Sequence, residues 1–66
     1  MPKTLEELAV MLAKRDGLTF DEEMRTIKMA AADMEHAFYT GSLDEAEDIL
    51  RTSLGLEPDY LDLFIF

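Results

Sequence analysis

Residues 20–39 read FDEEMRTIKMAAADMEHAFY, and this stretch predicts the element around which the rest of the chain folds. Its apolar residues alternate spacings of four and three, the heptad pattern of a helix that packs lengthwise against its neighbours. They are Phe20, Met24, Ile27, Ala31, Met34 and Phe38. Alanines at 30–32 and 37 would let a neighbouring helix approach closely. The stretch therefore predicts a long central helix with one apolar face.

The residues on either side of this stretch carry helix start and stop signals. Glycines at positions 17, 41 and 55 each follow an apolar helical pattern, as expected of C-terminal caps. Three Ser/Thr-x-x-Glu pairs predict capping boxes, and Pro58 suits a first helical position. The pairs are Thr4 with Glu7, Thr19 with Glu22, and Ser42 with Glu45. We predict an all-α, compact bundle of four helices at about 5–15, 20–39, 43–54 and 58–64, forming a single domain over 1–66.

The two shorter flanking helices also have apolar faces at helical spacing. The first presents Leu5, Leu8, Ala9 and Leu12, and the third presents Leu43, Ala46, Ile49, Leu50 and Leu54. A chain of 66 residues buries a marginal core, and with no cysteine it has no disulfide to support it. Oligomerisation or unusually good helix packing must then stabilise the fold, and we expect a homo-oligomer, a dimer.

Composition limits the classes of function. The net charge of −9 repels nucleic-acid phosphates, so direct nucleic-acid binding is not expected. No run of apolar residues is long enough to span a membrane, and no leader pattern of a basic region followed by an apolar run is present. The lack of cysteine fits a reducing compartment. We expect a cytoplasmic protein that does not act on membranes.

The acidic residues divide into two groups. Many fall in first helical turns, where the helix dipole favours negative charge, and this explains them structurally. From Gly41 onward, however, seven acidic residues stand against Arg51 alone, a net charge of −6. An acidic face is predicted there, formed by Asp44, Glu47, Asp48, Asp59 and Asp62. It could bind a basic protein surface or imitate nucleic-acid phosphates, or it could be a solvated face that keeps the protein soluble.

No residue pattern predicts catalysis or a bound cofactor. The chain has no glycine-rich phosphate loop, and Ser42 and Ser53 are better explained by a helix cap and by packing than as nucleophiles. Asp33, Glu35 and His36 contain one Asp-x-x-His spacing, which only a symmetric dimer could complete into a metal site. We predict no enzyme activity, no cofactor and no metal site within one chain.

The C-terminal segment is unusually apolar for a chain end, which is normally polar and frayed. Its candidate interaction residues are Tyr60, Leu61, Leu63, Phe64 and Phe66. If a helix buries some of these side chains, the others remain on the surface. Apolar surface at a terminus usually marks a contact. The contact could be internal and close the bundle, or it could be made with a second copy or with another protein.

Residues 30–61 resemble a single tetratricopeptide repeat, a helical hairpin used for protein binding. The resemblance rests on Gly41, the run 43–46, Leu54 and the run 58–60, with Ala46 and Pro58 at the family's spacing. Met34, Ala37 and Ser53 depart from the family's pattern. The resemblance implies an antiparallel hairpin of the second and third helices. In size and acidity the chain is also similar to small accessory proteins of bacteriophages and other mobile elements.

Three functions follow from these observations. The leading prediction is a small non-enzymatic protein–protein interaction module that self-associates through its apolar C-terminal segment. The alternative is an acidic inhibitor or nucleic-acid mimic that binds a basic protein surface. The third is a metal site assembled by a dimer.

Overall fold

A computed structural model describes residues 2–65, which form four helical segments. These are helix α1 (Leu5–Asp16), helix α2 (Phe20–Tyr39), helix α3 (Leu43–Leu54) and a short 3₁₀ helix (Pro58–Phe64). No strand occurs between residues 2 and 65. The all-α prediction is confirmed, although the last segment is a 3₁₀ helix. This helix begins at Pro58, as predicted, and Glu57 at its N-cap makes no side-chain hydrogen bond to it.

Each α-helix begins at the predicted N-cap. The side-chain oxygens of Thr4, Thr19 and Ser42 accept hydrogen bonds from backbone N–H groups three residues later, at 3.1, 3.2 and 3.3 Å. A reciprocal capping box forms at Thr19, whose backbone N–H donates to Glu22 Oε1 at 2.9 Å. At Thr4 the prediction of a reciprocal box is wrong, because Glu7 Oε2 accepts from the backbone N–H of Lys3 instead.

Ser42 is likewise an N-cap without the reciprocal bond from Glu45 in the part of the chain that the structure describes. Thr19 is therefore the most completely satisfied helix start.

Substituting Thr19→Ala is expected to lower the free energy of unfolding by about 1 kcal/mol, because it removes the side-chain oxygen that accepts a hydrogen bond from the backbone N–H of Glu22. Urea denaturation followed by circular dichroism measures the effect. Thr26→Ala is the matched control, since Thr26 is exposed within the same helix and bonds only to Glu22 O. That control should be neutral or slightly stabilising, because alanine is the better helix former. Equal losses in both variants would contradict the capping role.

Helices α1 and α3 end at glycines in the left-handed conformation. Gly17 has φ 70° and Gly55 has φ 64°, and each backbone N–H closes its helix with a 2.9 Å bond, to Ala13 O and Arg51 O respectively. A side chain at either position would be strained. Helix α2 ends differently, since Thr40 is its right-handed C-cap and the left-handed residue is the next one.

The core lies between α2 and the other three segments, all of which α2 contacts. It consists of thirteen buried apolar residues: Leu8, Ala9, Leu12, Ile27, Ala30, Met34, Ala37, Ala46, Leu50, Leu54, Leu56, Leu61 and Phe64. All of the buried residues of α1 and of α3 lie on the predicted faces. The central role predicted for residues 20–39 is therefore confirmed.

The buried face of α2 differs from the predicted one. The buried positions are Glu23, Ile27, Ala30, Met34 and Ala37, so the face is turned away from Phe20, which is 42% exposed. The predicted positions 24, 31 and 38 are half-buried at its edge. The reason is steric, because the side that carries alanines at 30 and 37 allows neighbouring helices to approach most closely.

The predicted face of α3 is wrong at Leu43, which is 56% exposed. Leu43 is the first residue of the helix and lies beside the turn, where it projects past the end of the core. None of the helices between residues 2 and 65 is long and apolar enough to cross a membrane.

Candidate functional site

The apolar C-terminal residues divide between the core and the surface. Leu61 and Phe64 are buried inside the chain, whereas Tyr60 and Leu63 are half-buried against the core. Phe66 lies outside the described residues. A partner would therefore contact the surface over Leu61 and Phe64 and not the bulk of these two side chains.

An apolar groove lies at this surface, where the end of α2, the start of α3 and the end of the 3₁₀ helix meet. Its volume is about 520 Å³, and six residues line it: Glu35, Phe38, Tyr39, Leu43, Phe64 and Ile65. Phe64 is buried and Phe38 half-buried, so these two rings form the inner part of the groove. Tyr39 is 84% exposed, and Leu43 and Ile65 are each 56% exposed. We call these six residues the apolar groove.

The turn between α2 and α3 positions two sides of the groove. Thr40 Oγ1 donates to Ala37 O at 2.9 Å, and the backbone N–H of Ser42 donates to the same carbonyl at 3.0 Å. These bonds hold the chain in a tight reversal, with Tyr39 before it and Leu43 after it. The two exposed side chains are thereby held next to Phe64 and Ile65. Sequence reasoning missed the groove because it assigned Leu43 to the core.

The acidic residues predicted as one face lie on two elements. On α3, Asp44 and Asp48 are exposed and Glu47 is half-buried, and their spacing places them on one side of the helix. Asp48 forms an ion pair with Arg51. Asp59 and Asp62 are exposed on the 3₁₀ helix and line a shallow groove that also contains Pro2.

The acidic face stays a prediction as a binding surface, because its five residues are divided between α3 and the 3₁₀ helix.

A second site of unusual chemistry joins α1, α2 and α3. Arg15 forms a two-point ion pair with Asp16, with Nε to Oδ1 at 2.8 Å and Nη2 to Oδ2 at 3.1 Å. The same Nη2 donates to Leu54 O at 2.8 Å, so the guanidinium caps the C-terminal end of α3. Glu23, in the first turns of α2, lies against this pair and is only 2% exposed. We call these residues the Arg15–Asp16–Glu23 cluster.

The two carboxyl groups of the cluster have opposite pKa shifts. Burial raises the pKa of Glu23, and a hydrogen bond to Asp16 raises it further. The hydrogen bond from Arg15 lowers the pKa of Asp16, and the bond from Glu23 adds to this effect. Of these two carboxyl groups, Glu23 is therefore the one that is protonated first as the pH falls. Oε1 of Glu23 has no hydrogen-bond partner among the described residues.

No protein-family model, curated protein or solved structure matches this chain. The resemblance of residues 30–61 to a tetratricopeptide repeat and the compositional likeness to phage accessory proteins therefore stay predictions. The groove and the cluster have to be interpreted from their own geometry. The Arg15–Asp16–Glu23 cluster lines none of the grooves, whereas the apolar groove is open to a partner.

The residues considered for a metal site are all exposed on α2. Asp33, Glu35 and His36 are not brought together with further ligands, and residues 2–65 contain no group of three or more histidine or acidic side chains that could hold a metal ion. Glu35 instead lines the apolar groove. A metal site assembled by a dimer stays an untested hypothesis.

Proposed function

We propose that this chain is a small non-enzymatic protein–protein interaction module whose contact surface is the apolar groove. The observation that supports this proposal is the exposure of Tyr39, Leu43 and Ile65 around a groove floored by two phenylalanines. Three large apolar side chains exposed side by side on so small a protein are typical of a binding surface. Tyrosine and phenylalanine are also enriched where interfaces are buried.

The shape of the groove favours a protein partner over a small metabolite. A site for a small molecule buries most of its ligand between enclosing walls. Here the walls are side chains that are themselves more than half exposed, so the groove can hold a side chain presented from outside but cannot enclose a free ligand. As part of the same proposal, the protein acts in the cytoplasm.

The proposal is tested by comparing variants in affinity capture from a lysate of the native host. Tagged Tyr39→Ser/Leu43→Ser should lose a partner that the unmodified protein retains, because both substitutions remove exposed apolar contact area. Met29→Ser is the matched control, since Met29 is 67% exposed on the same helix but does not line the groove. Mass spectrometry quantifies each captured protein. Equal recovery by the groove variant and the control would refute the proposal.

Self-association is measured with the same proteins by light scattering. A dimer that becomes a monomer in the Tyr39→Ser/Leu43→Ser variant would identify a second copy as the partner. Ile65→Ser is preferable to truncating the C-terminal segment, because truncation would remove Phe64 from the core and unfold the protein. Circular dichroism confirms that each variant retains its helices.

A further inference from the structure

The dimensions of the apolar groove limit what can occupy it. A standard interface between two folded proteins buries about 800 Å² on each partner and involves about 20–30 residues a side. This chain exposes 4466 Å² in total, and only six residues line the groove. The groove therefore matches a short segment that inserts one or two side chains, and it is too small to be a complete interface between two copies.

The lining determines which side chain inserts. Phe38 and Phe64 form an aromatic floor, and Tyr39, Leu43 and Ile65 add apolar walls. Large aliphatic or aromatic side chains gain the most from leaving water in such a site. The inserted residue is therefore a large apolar anchor.

The charge around the groove determines what surrounds the anchor. Glu35 is the one charged residue among the six that line it, and Asp44 is exposed directly after Leu43. The region from Gly41 onward has a net charge of −6 within a chain of −9. A second copy would bring the same negative charge against Glu35, whereas lysine or arginine would be attracted to it.

We propose that the apolar groove binds a short segment of another protein, in which a large apolar anchor is flanked by lysine or arginine and Glu35 selects the basic flank. This inference rests on the proposed function and names the partner's chemistry. The anchor supplies the apolar contact. The negative charge of Glu35 and Asp44 accelerates association with a basic segment and repels segments that have acidic flanks.

Selection from a library of random short peptides displayed on phage tests this inference with the full-length chain. Peptides that bind the unmodified protein, after removal of those that bind Tyr39→Ser/Leu43→Ser, should share an aromatic or large aliphatic residue with lysine or arginine beside it. A synthetic peptide of this consensus should bind about tenfold more tightly than the same peptide with glutamate in place of the basic residues. Raising the salt concentration should reduce that difference.

A charge-matched pair of variants isolates the role of Glu35. Glu35→Lys should reverse or abolish the preference for basic flanks. Asp33→Lys makes the same change in net charge on the same helix but at an exposed position that does not line the groove, so it should keep the preference. Equal effects of the two variants would show that only overall charge acts, and would overturn the selective role of Glu35.

The remaining outcomes separate this inference from the proposed function. A consensus with an apolar anchor but neutral or acidic flanks overturns the inference and leaves the groove as a binding site. No enrichment over the Tyr39→Ser/Leu43→Ser variant overturns the inference, and the lysate capture then decides the proposed function independently. A dimer that depends on Tyr39 and Leu43 also overturns the inference, because a second copy then occupies the groove.

Discussion

Replacing Glu23 with Gln is expected to stabilise the protein by about 1–2 kcal/mol at pH 7, because it removes a carboxyl group whose charged form is disfavoured by burial and by the neighbouring Asp16 carboxylate. Glutamine has nearly the same shape, and its amide N–H group can donate a hydrogen bond to the Asp16 carboxylate. For a domain of this size the gain corresponds to a rise in melting temperature of roughly 4–8 °C per kcal/mol. Thermal unfolding followed by circular dichroism at pH 7 measures it.

The stabilisation should depend on pH with a defined sign. The pKa of Glu23 is raised in the folded state, so its contribution to stability is fully present below its unfolded pKa and is lost as the pH rises through the folded pKa. The advantage of Glu23→Gln should therefore be large at pH 7 and should disappear below about pH 4, where the carboxyl is protonated in both states. An unchanged or lower melting temperature at pH 7 would show that Glu23 is not a source of instability.

Glu22→Gln is the matched control, because it makes the same substitution at the preceding residue. The hydrogen bond from the backbone N–H of Thr19 lowers the pKa of Glu22, so its contribution to stability is present above the unfolded pKa and is lost as the pH falls through the folded pKa. Glu22→Gln should therefore be slightly destabilising at neutral pH. Two adjacent glutamates are expected to give effects of opposite sign.

Replacing Leu50 with Ala is expected to lower the free energy of unfolding by about 2–5 kcal/mol, since it removes a fully buried side chain and leaves a cavity. A domain of 66 residues has a total stability of about 3–10 kcal/mol at the usual 0.05–0.15 kcal/mol per residue. The variant should therefore be largely unfolded or melt at a much lower temperature. Urea denaturation followed by circular dichroism distinguishes these outcomes.

Leu43→Ala is the control for this second prediction, because it makes the same change on the same helix at an exposed position. Its effect on unfolding should stay within about 0.5 kcal/mol. If Leu50→Ala does not fold, Leu50→Met preserves the volume and should cost less than about 1.5 kcal/mol. A small effect of Leu50→Ala would place this residue outside the core.

Leu43→Ala also tests the apolar groove, where it should weaken binding without affecting the fold.

The helix boundaries could be predicted because their signals are local. The N-cap of α2 lies at Thr19 and the glycine after α1 at position 17, as expected from the residues alone. A cap satisfies backbone groups within one turn, so its energy depends on neighbours in the sequence. The same reasoning failed to distinguish a reciprocal box from a simple N-cap at Thr4, where Glu7 has a second acceptable donor in Lys3.

The candidate sites could be predicted only in part. The C-terminal segment was identified as unusual, but two of its side chains close the core, and the exposed apolar residues beside them are Tyr39, Leu43 and Ile65. Glu23 is one of the acidic residues in a first helical turn, which the sequence alone explains by the helix dipole. A signal was present, since continuing the spacing of Ile27 back by four residues leads to Glu23. However, Ile27 and Met34 belong both to the predicted face of α2 and to the face that is buried. The spacing of the residues does not show which of these two faces packs against the core.

The sequence by itself determined the all-α class, the limits of the helices, the central position of α2 and the excess of negative charge. These properties follow from local capping, helical periodicity and composition. Only the tertiary structure decided which side of α2 is buried, how Arg15 joins Asp16 to the end of α3, and how residues on three segments form the apolar groove. The physical reason is that each depends on how closely separate helices approach one another, a distance set by packing between residues far apart in the chain.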